Sequence, residues 1–522
     1  MSDDPGTTAA ATPALAEWLT PLPDAEQQRA TDAWAIEGQG VPSIELMERA
    51  GAGLGDEVRR RVPDGRVVVV VGKGNNGGDG LVVARLLREA GREVDVLLLA
   101  GGDELRGDAG INFDRLLETR PAHPRPFTAA ALDGAAAIVD AILGTGFGGE
   151  PRDPARSAIA AINQARGDAR VFACDVPSGV DASTGEIAGE AVRAHVTVTF
   201  HAAKPGLWVS PGKTHAGEVV VVDIGIPGAA PVRPSVGLIE AAVLDAVPHR
   251  AHDSTKFAAG SVLVCGGSTG LTGAPSMAAQ SAMRAGAGYV TALVPASLNL
   301  AFEVRLLEEM SVPLPDKDGA LSAAAADLVL ERAQRADALV LGPGLGRAPR
   351  TFKLARRLAR RVEVPLLLDA DGLNAHAGRL ESLAGRPAAT VLTPHAGELA
   401  RLLDSDSAEV AAHRLRCVRA AAVRAEAIVV LKGDDTIVAA PDGRAAVNRG
   451  GAPALATAGT GDVLSGVVGA YLSKGMDPFA AACAGVFVHA RAGQLAARTV
   501  GTEGVIASDV IALLPRARAG DD

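Results

Sequence analysis

Short runs of unbroken apolar residues alternate along this chain with polar stretches rich in glycine. Val67–Val71 is five consecutive valines, the pattern of a strand buried on both faces. It enters Gly-Lys-Gly-Asn-Asn-Gly-Gly-Asp-Gly (72–80), after which Val82, Val83, Leu86, Leu87 and Ala90 recur at helical spacing and Gly91 caps the end. A second apolar run over 93–100 completes a strand–helix–strand unit. That order predicts a parallel sheet with ligand at the strands' carboxyl edge. Residues 24–33 and Ser43–Arg61 read as helices, and residues 1–23 as a loose tail. Apolar runs over 136–143 and Arg170–Cys174 lead into two more polar loops, Asp140 to Gly149 and Asp175-Val-Pro-Ser-Gly-Val-Asp181.

Three prolines and a glycine in residues 227–234 mark a domain boundary. Beyond it the strand-then-glycine pattern returns. Ser261–Cys265 enters a glycine loop over 266–274, and Ala338–Leu341 enters Gly342-Pro-Gly-Leu-Gly346. Residues 365–368 enter Asp369-Ala-Asp-Gly-Leu-Asn374, and 389–392 enter Thr393-Pro-His-Ala-Gly-Glu398. Residues 427–431 enter Lys432-Gly-Asp-Asp-Thr436, and Gly459-Thr-Gly-Asp462 precedes an apolar run over 463–472. The fold class is therefore α/β, with two doubly wound three-layer domains. The expected division is a tail over 1–23, a first domain over 24–228, a linker over 229–249 and a second domain over 250–516.

Composition narrows the class. A chain of 522 residues exceeds one core, and 48% hydrophobic with 21% charged residues is globular rather than disordered. Net charge is −10 and no Lys/Arg block tracks a phosphate backbone, so no nucleic-acid partner is expected. The start lacks a signal-peptide pattern and no apolar run reaches membrane-spanning length, so no membrane is expected either. The four scattered cysteines read as buried thiols of a cytoplasmic protein. The Ala/Gly-rich run over 463–472 suits subunit packing, and a homo-oligomer is expected.

Candidate chemistry starts at residues 459–462. Two glycines at a helix N-terminus let backbone amides approach an anion, and Asp462 beside them suits proton abstraction from an attacking hydroxyl. An ordinary capped helix accounts for the same residues. Gly72 to Gly77 matches the dinucleotide fingerprint, but the acid expected at the end of the second strand is missing. Its Asn and Asp residues suit an amide-bearing or hydroxylated ligand, or a hard cation; a tight polar turn is the plainer alternative. Asn76, Asp140, Asp175 and Ser178 lie on loops that a parallel sheet brings to one edge. Lys432 and Thr436 suit a nucleotide. His395 reads as a substrate contact or a structural residue, and Asp369 and Asp371 as metal neighbours or helix caps. No G-x-x-x-x-G-K-[ST] sequence is present, which argues against a P-loop kinase.

Two resemblances sharpen this. The 72–80 stretch, the Asp140–Gly149 loop, the Asp175–Asp181 loop, Val196-Thr-Val-Thr-Phe-His-Ala-Ala-Lys-Pro-Gly206 and Val222-Asp-Ile-Gly-Ile-Pro227 together resemble the NAD(P)H-hydrate epimerase domain, which has a Rossmann-like fold. The resemblance implies that Asn75, Asn76, Gly77, Gly78 and Asp79, with Gly144, Thr145, Gly146, Phe147, Gly148, Gly149 and Glu150, hold the damaged nucleotide. It also implies potassium at Asn76, Asp140 and Ser178, and Asp175 as a substrate-contacting catalytic group. The five loops from Gly342 to Asp462 resemble, in the family's order, the NAD(P)H-hydrate dehydratase branch of the ribokinase-like fold. That implies nucleotide binding by Lys432, Gly433, Asp434, Asp435, Thr436 and Gly461. Ala274, Gly344, His395 and Asp462 would meet the hydrate, Asp462 would be catalytic, and Mg²⁺ would accompany ADP or ATP. The expected partners are thus the small molecules NADH hydrate, NADPH hydrate, ADP and ATP. Thr255-Lys-Phe257 departs from the family's His-Lys-Gly, and Ala458 stands where Gly is usual. A small-molecule kinase, a non-catalytic binding scaffold and an NAD-dependent dehydrogenase are the competing readings.

Overall fold

The computed structural model describes residues 13–119, 123–228, 230–252 and 255–520. They form two compact units, one of residues 21–236 and one of residues 13–20 with 237–520.

The first unit is built on seven parallel strands in the spatial order Arg125–Pro126, Val94–Leu98, Val67–Val71, Ala137–Ala141, Arg170–Cys174, Val196–Phe200 and Glu218–Val222. The five valines sit in the middle, and all are buried. Because strand side chains alternate, Val67, Val69 and Val71 meet Leu54 and Val58 of Ser43–Arg61 and Leu81, Val83 and Leu87 of Asn75–Glu89. Val68 and Val70 meet Ile159 and Ile162 of Ala155–Ala165 on the other face. Helices thus cover both sides. From the valine strand the chain winds outward one way, then returns to Ala137–Ala141 on the opposite side. Those two strands form the switch point where such sheets hold ligands.

The second unit is built on an eleven-stranded sheet, ordered Leu19–Pro21, Val236–Ile239, Ala445–Val447, Ile437–Ala439, Ile428–Leu431, Thr390–Leu392, Leu366–Leu368, Ala338–Leu341, Ser261–Cys265, Tyr289–Pro295 and Met310–Leu314. From Ile428–Leu431 to Met310–Leu314 neighbouring strands run parallel. The next two joints toward the other edge are antiparallel. Thr460–Ser473 is an almost wholly apolar helix laid on this sheet. Two glycines set its distance from its neighbours. A Cβ on Gly466 would lie 2.1 Å from the Ala278 carbonyl oxygen of Gly273–Arg284, and one on Gly469 would lie 2.5 Å from a Val340 methyl of the sheet.

Four expectations are corrected. Residues 1–12 of the proposed tail lie outside the described residues, but Leu19–Pro21 is an edge strand, and Asp24 caps Ala25–Ala33. The stretch expected as a linker contains the strand Val236–Ile239 and a short 3₁₀ helix, Ala241–Ala246. The Asn-Asn-Gly-Gly-Asp-Gly residues are helical rather than a loop, since the helix starts at Asn75. Residues 463–472 are buried within their own unit, so this run presents no face to another subunit. Among the described residues no helix is long and apolar enough to cross a membrane.

Gly466→Ala should lower the stability of the second unit by about 1–3 kcal/mol through overpacking against Ala278 and Ser281. Urea unfolding followed by a signal from that unit reads this as a lower midpoint with an unchanged slope; an unchanged midpoint would show that the helix pair has room to spare.

Candidate functional site

A cavity of about 920 Å³ opens at the carboxyl edge of the first unit. Gly72, Gly74, Asn75 and Asn76 line it from the end of the valine strand, Leu143 to Phe147 from the next strand, and Asp175 and Lys204 from the two beyond. The loops touch where Gly72 stands, since a Cβ there would be 2.0 Å from the Ile142 carbonyl oxygen. Asp79 also lines the cavity, and Gly144, Thr145 and Gly146 do so within the second of these stretches. Gly77, Gly78, Gly148, Gly149 and Glu150 are not among its lining residues. Gly77 and Gly78 are packing positions: a Cβ would lie 1.9 Å from the Gly72 carbonyl oxygen at the first, and 2.6 Å from the Met47 sulfur at the second. Glu150 lies instead against Gly189.

Asp175 is the charged focus of this cavity. Its φ of 65° is a left-handed conformation that a non-glycine residue adopts at a cost. Lys204 Nζ donates to its Oδ1 at 2.6 Å and to Thr199 Oγ1 at 2.8 Å; Thr199 donates to the same Oδ1 at 2.9 Å, and Thr145 to Oδ2. Burial disfavours ionisation of Asp175, but the Lys204 ammonium and these hydrogen bonds outweigh it and hold the carboxyl below its ordinary pKa. Two other carboxyls on the cavity move the opposite way. Burial first, then the Asp175 and Asp32 charges, hold Asp79 well above its usual range, and burial raises Asp32. Lys204, Thr199 and Asp32 were not singled out from sequence. Lys204 stood inside a quoted motif, and its 1% exposure is what marks it.

Asp140 and Ser178 are bonded to each other, and Ser178 also bonds Leu143, the residue before the Gly144 that Asn76 packs against. Ser178 donates to Asp140 from its backbone N–H at 2.8 Å and its hydroxyl at 2.6 Å, and Ile142 N–H adds a third bond at 3.3 Å. These partners are neutral, and burial raises the Asp140 pKa to about 6 against them. Asn76 packs against Gly144, with both atoms of its buried amide lacking a hydrogen-bond partner.

In the second unit the loop before Thr460–Ser473 makes a turn that only glycine fits. Gly459 has φ 93°, and a Cβ there would lie 2.6 Å from the Met277 methyl. The Thr460 hydroxyl turns back to the Leu455 and Thr457 carbonyls, and Asp462 sits in the first helical turn. Lys432 Nζ reaches Asp369 Oδ1 at 2.9 Å and Glu398 at 3.8 Å, and a Cβ on Gly461 would lie 3.5 Å from the same ammonium. Ser465 donates to the other Asp369 oxygen at 2.7 Å. Burial, then the Asp369 charge, push the Asp462 carboxyl up to about 7 against the pull of Lys432. Lys432, Asp462 and Gly461 therefore share one site, with Asp369 and Glu398 beside them.

The other expected residues divide. Ala274 lies against Gly344, whose φ is 60°. His395 caps the helix Ala396–Leu403: its Nδ1 accepts from Gly397 at 3.0 Å, and its backbone N–H donates to Glu398 at 2.9 Å. Asp371 bonds Gly346 N–H and Asn374, and so holds two loops together. Asp435 is buried and paired with Arg414 at 2.9 Å, while Asp434 accepts from Gly451 N–H and Thr436 from Gly433 N–H. These three shape the loop from within. Ala458 is exposed, where a methyl group meets no neighbour's core. Lys256 Nζ lies over the Phe257 and Tyr289 rings, beside the starting residue of Tyr289–Pro295 and so at the sheet's opposite edge.

A family model described as NAD(P)H-hydrate dehydratase matches residues 262–516, and one described as YjeF-related protein N-terminus matches residues 43–206. The chain is 41% identical over 525 residues to the bifunctional NAD(P)H-hydrate repair enzyme Nnr of Salinibacter ruber, covering 96% of each. It is also 41% identical over 491 residues to the protein of that name from Moorella thermoacetica, covering 91% and 92%. Among solved structures, the ADP/ATP-dependent NAD(P)H-hydrate dehydratase of Bacillus subtilis, co-crystallised with ATP/Mg²⁺, is 27% identical, covers 53% of this chain and 95% of its own, and has a TM-score of 0.47.

Lys204→Met should move the Asp175 titration to higher pH, because burial and the nearby carboxyls are then opposed only by neutral donors. Carbon NMR of the carboxyl resonances measures it; an unmoved titration would mean that Lys204 does not hold Asp175 ionised.

Proposed function

The chain belongs to the family of bifunctional NAD(P)H-hydrate repair enzymes, and on that premise we propose how its two sites divide the work. It carries an NAD(P)H-hydrate epimerase domain followed by an ADP/ATP-dependent NAD(P)H-hydrate dehydratase domain. Hydration of the dihydronicotinamide ring leaves a hydroxyl at C6 in two epimeric forms. A stereospecific dehydratase consumes the S form, and the first unit converts the R form into it.

In the second unit Asp462 takes the proton from the C6 hydroxyl. That oxygen attacks the terminal phosphoryl group of ADP or ATP, and the bond to the departing AMP or ADP breaks. The ring nitrogen's lone pair then expels C6–O as phosphate, and loss of a C5 proton restores the dihydronicotinamide. Gly459–Gly461 amides at the helix N-terminus stabilise the developing phosphoryl charge, and Lys432 adds its ammonium. Asp369, Glu398 and Asp462 all bear on that one ammonium. A divalent cation carried by the nucleotide phosphates fits this surplus of negative charge. Mg²⁺ would supply the balancing charge and polarise the transferring group. The observation that carries the reading is Asp462 in the first turn of a helix that opens on the Gly459 turn, with Lys432 beside Gly461.

In the first unit Asp175, held ionised, takes and returns the proton while C6 loses and regains its configuration through ring opening or loss of hydroxide. Potassium fits Asn76, Asp140 and Ser178: an amide oxygen without a partner and a buried carboxylate with only neutral donors suit a hard monovalent cation. It would neutralise Asp140 beneath the substrate. The four free, buried cysteines are in keeping with a reducing compartment, the cytoplasm.

Incubation with mixed NADH-hydrate epimers separates the two sites. Asp462→Asn should abolish nucleotide-dependent recovery of 340-nm absorbance while epimer exchange continues; Asp175→Ala should stop exchange but spare turnover of the S form. Dehydration by the first variant, or unchanged loss of both epimers in the second, would remove the corresponding role. As a base, Asp462 works when ionised, so kcat/KM for dehydration should climb with pH through about 7. A profile flat from about pH 6 to 8 would contradict it.

A further inference from the structure

Asp369 is given no step in the reaction above, yet both of its carboxylate oxygens are taken. It directly follows the strand Leu366–Leu368 and is 2% exposed. Its backbone is fixed from two sides. Its N–H donates to the Leu341 carbonyl at 3.1 Å, and Gly342 passes so close that a Cβ there would lie 1.9 Å from the Asp369 carbonyl oxygen. Oδ1 accepts from Lys432 Nζ at 2.9 Å, and Oδ2 accepts from Ser465 Oγ at 2.7 Å. Those partners come from different elements. Lys432 follows Ile428–Leu431, and the strand Thr390–Leu392 stands between it and Asp369, so the lysine stem crosses a strand end to make its bond. Ser465 is buried on Thr460–Ser473, three residues beyond Asp462 and so on the same face of that helix. One rigidly held carboxylate thus ties the lysine to the helix that carries the base.

We propose, resting on the dehydratase reading, that Asp369 is a positioning residue which pins the Lys432 ammonium at the phosphoryl pocket and keeps it from pairing with Asp462. The ammonium lies 3.5 Å from where a Cβ on Gly461 would be, beside the residue that precedes Asp462. A lysine is a point charge on a flexible stem, and it turns to the nearest open carboxylate unless another holds it. A contact pair with Asp462 would harm the reaction twice. It would make that carboxylate a weaker base, and it would draw the ammonium off the phosphoryl charge it meets. Asp369 offers the lysine a carboxylate that cannot swing with it, because Ser465 holds the other oxygen. Glu398, 3.8 Å from the same ammonium, is held in its turn, since its Oε2 accepts the His395 backbone N–H at 2.9 Å. Asp462 is thereby left to the substrate hydroxyl.

The test is Asp369→Asn in the full chain, which keeps the side chain's shape and removes its charge. A crystal structure of this variant should place Lys432 Nζ within about 3 Å of an Asp462 oxygen. Steady-state dehydration of S-enriched NADH hydrate with ADP and with ATP should show kcat about tenfold lower, with epimer exchange unchanged. Asp369, Lys432 and Glu398 are the charged groups that act on Asp462. Losing the first and gaining a bond to the second should carry the rise of kcat/KM with pH about one unit below its wild-type position. A purely structural role would lower kcat without moving that rise. If Asp369→Asn does not fold, Ser465→Ala, which keeps every charge and frees one oxygen of Asp369, is read in its place, with smaller effects in the same direction. An unmoved Lys432, a wild-type kcat or an unshifted pH rise overturns the role. A wild-type chain that recovers no dinucleotide overturns the dehydratase reading and this role with it.

Discussion

Each unit pairs a lysine with an aspartate, one member of each pair fully buried, at the carboxyl edge of its sheet, and the electrostatics of each site depend on that pair. Lys204 lies on Asp175 in the first unit, and Lys432 lies on Asp369 in the second. A buried ion pair adds little net stability, because desolvating two charges consumes most of their attraction. These pairs matter for what they do to neighbouring groups. In the first unit the lysine keeps Asp175 ionised while Asp79 and Asp32 on the same wall are pushed the other way. In the second the lysine is shared by Asp369, Glu398 and Asp462, and those carboxylates keep it charged although burial disfavours the charge. Asp462, bonded to none of them, is left near 7.

Glycine packing puts these charges in place. Few aromatic side chains are present, at 3% of residues, so the layers approach through Ala, Val and Gly. Gly72 lets two strand ends touch beneath the first cavity, and Gly459 lets the second site's turn pass Met277. Gly466, Gly469, Gly485 and Gly493 bring helices and sheet close around the apolar helix that carries Asp462. The same close approach lets side chains reach across elements, as Ser465 does to Asp369 from that helix.

Much of this was legible in the residues. Five valines, or a run such as Ser261–Cys265, have one reading in a parallel sheet, and those strands begin and end where the pattern does. Asp175 and Lys432 directly follow such strands, Asp462 opens an apolar helix, and resemblance put a reaction to them. Other features left no trace in spacing. Leu19–Pro21 is too short to show a period and is held only by pairing. Asn-Asn-Gly-Gly-Asp-Gly has turn composition, yet it is helical because Gly77 and Gly78 pack against Gly72 and Met47. The pairing of Asp435 with the buried Arg414, 21 residues earlier, leaves no mark in local spacing either. Lys204 acts through tertiary neighbours, and its significance lies in burial that no local pattern encodes.

The account's central claim is that the C6 oxygen itself attacks the nucleotide and departs as phosphate. S-form hydrate labelled with ¹⁸O at C6, turned over with ADP or ATP in ordinary water by the chain carrying Asp175→Ala, so that exchange at C6 in the first unit is stopped, tests it directly by mass spectrometry of the products. The account predicts one ¹⁸O in every phosphate released and none in the solvent. Label found in water, with unlabelled phosphate, would show that nucleotide hydrolysis and ring dehydration are separate events and would contradict it.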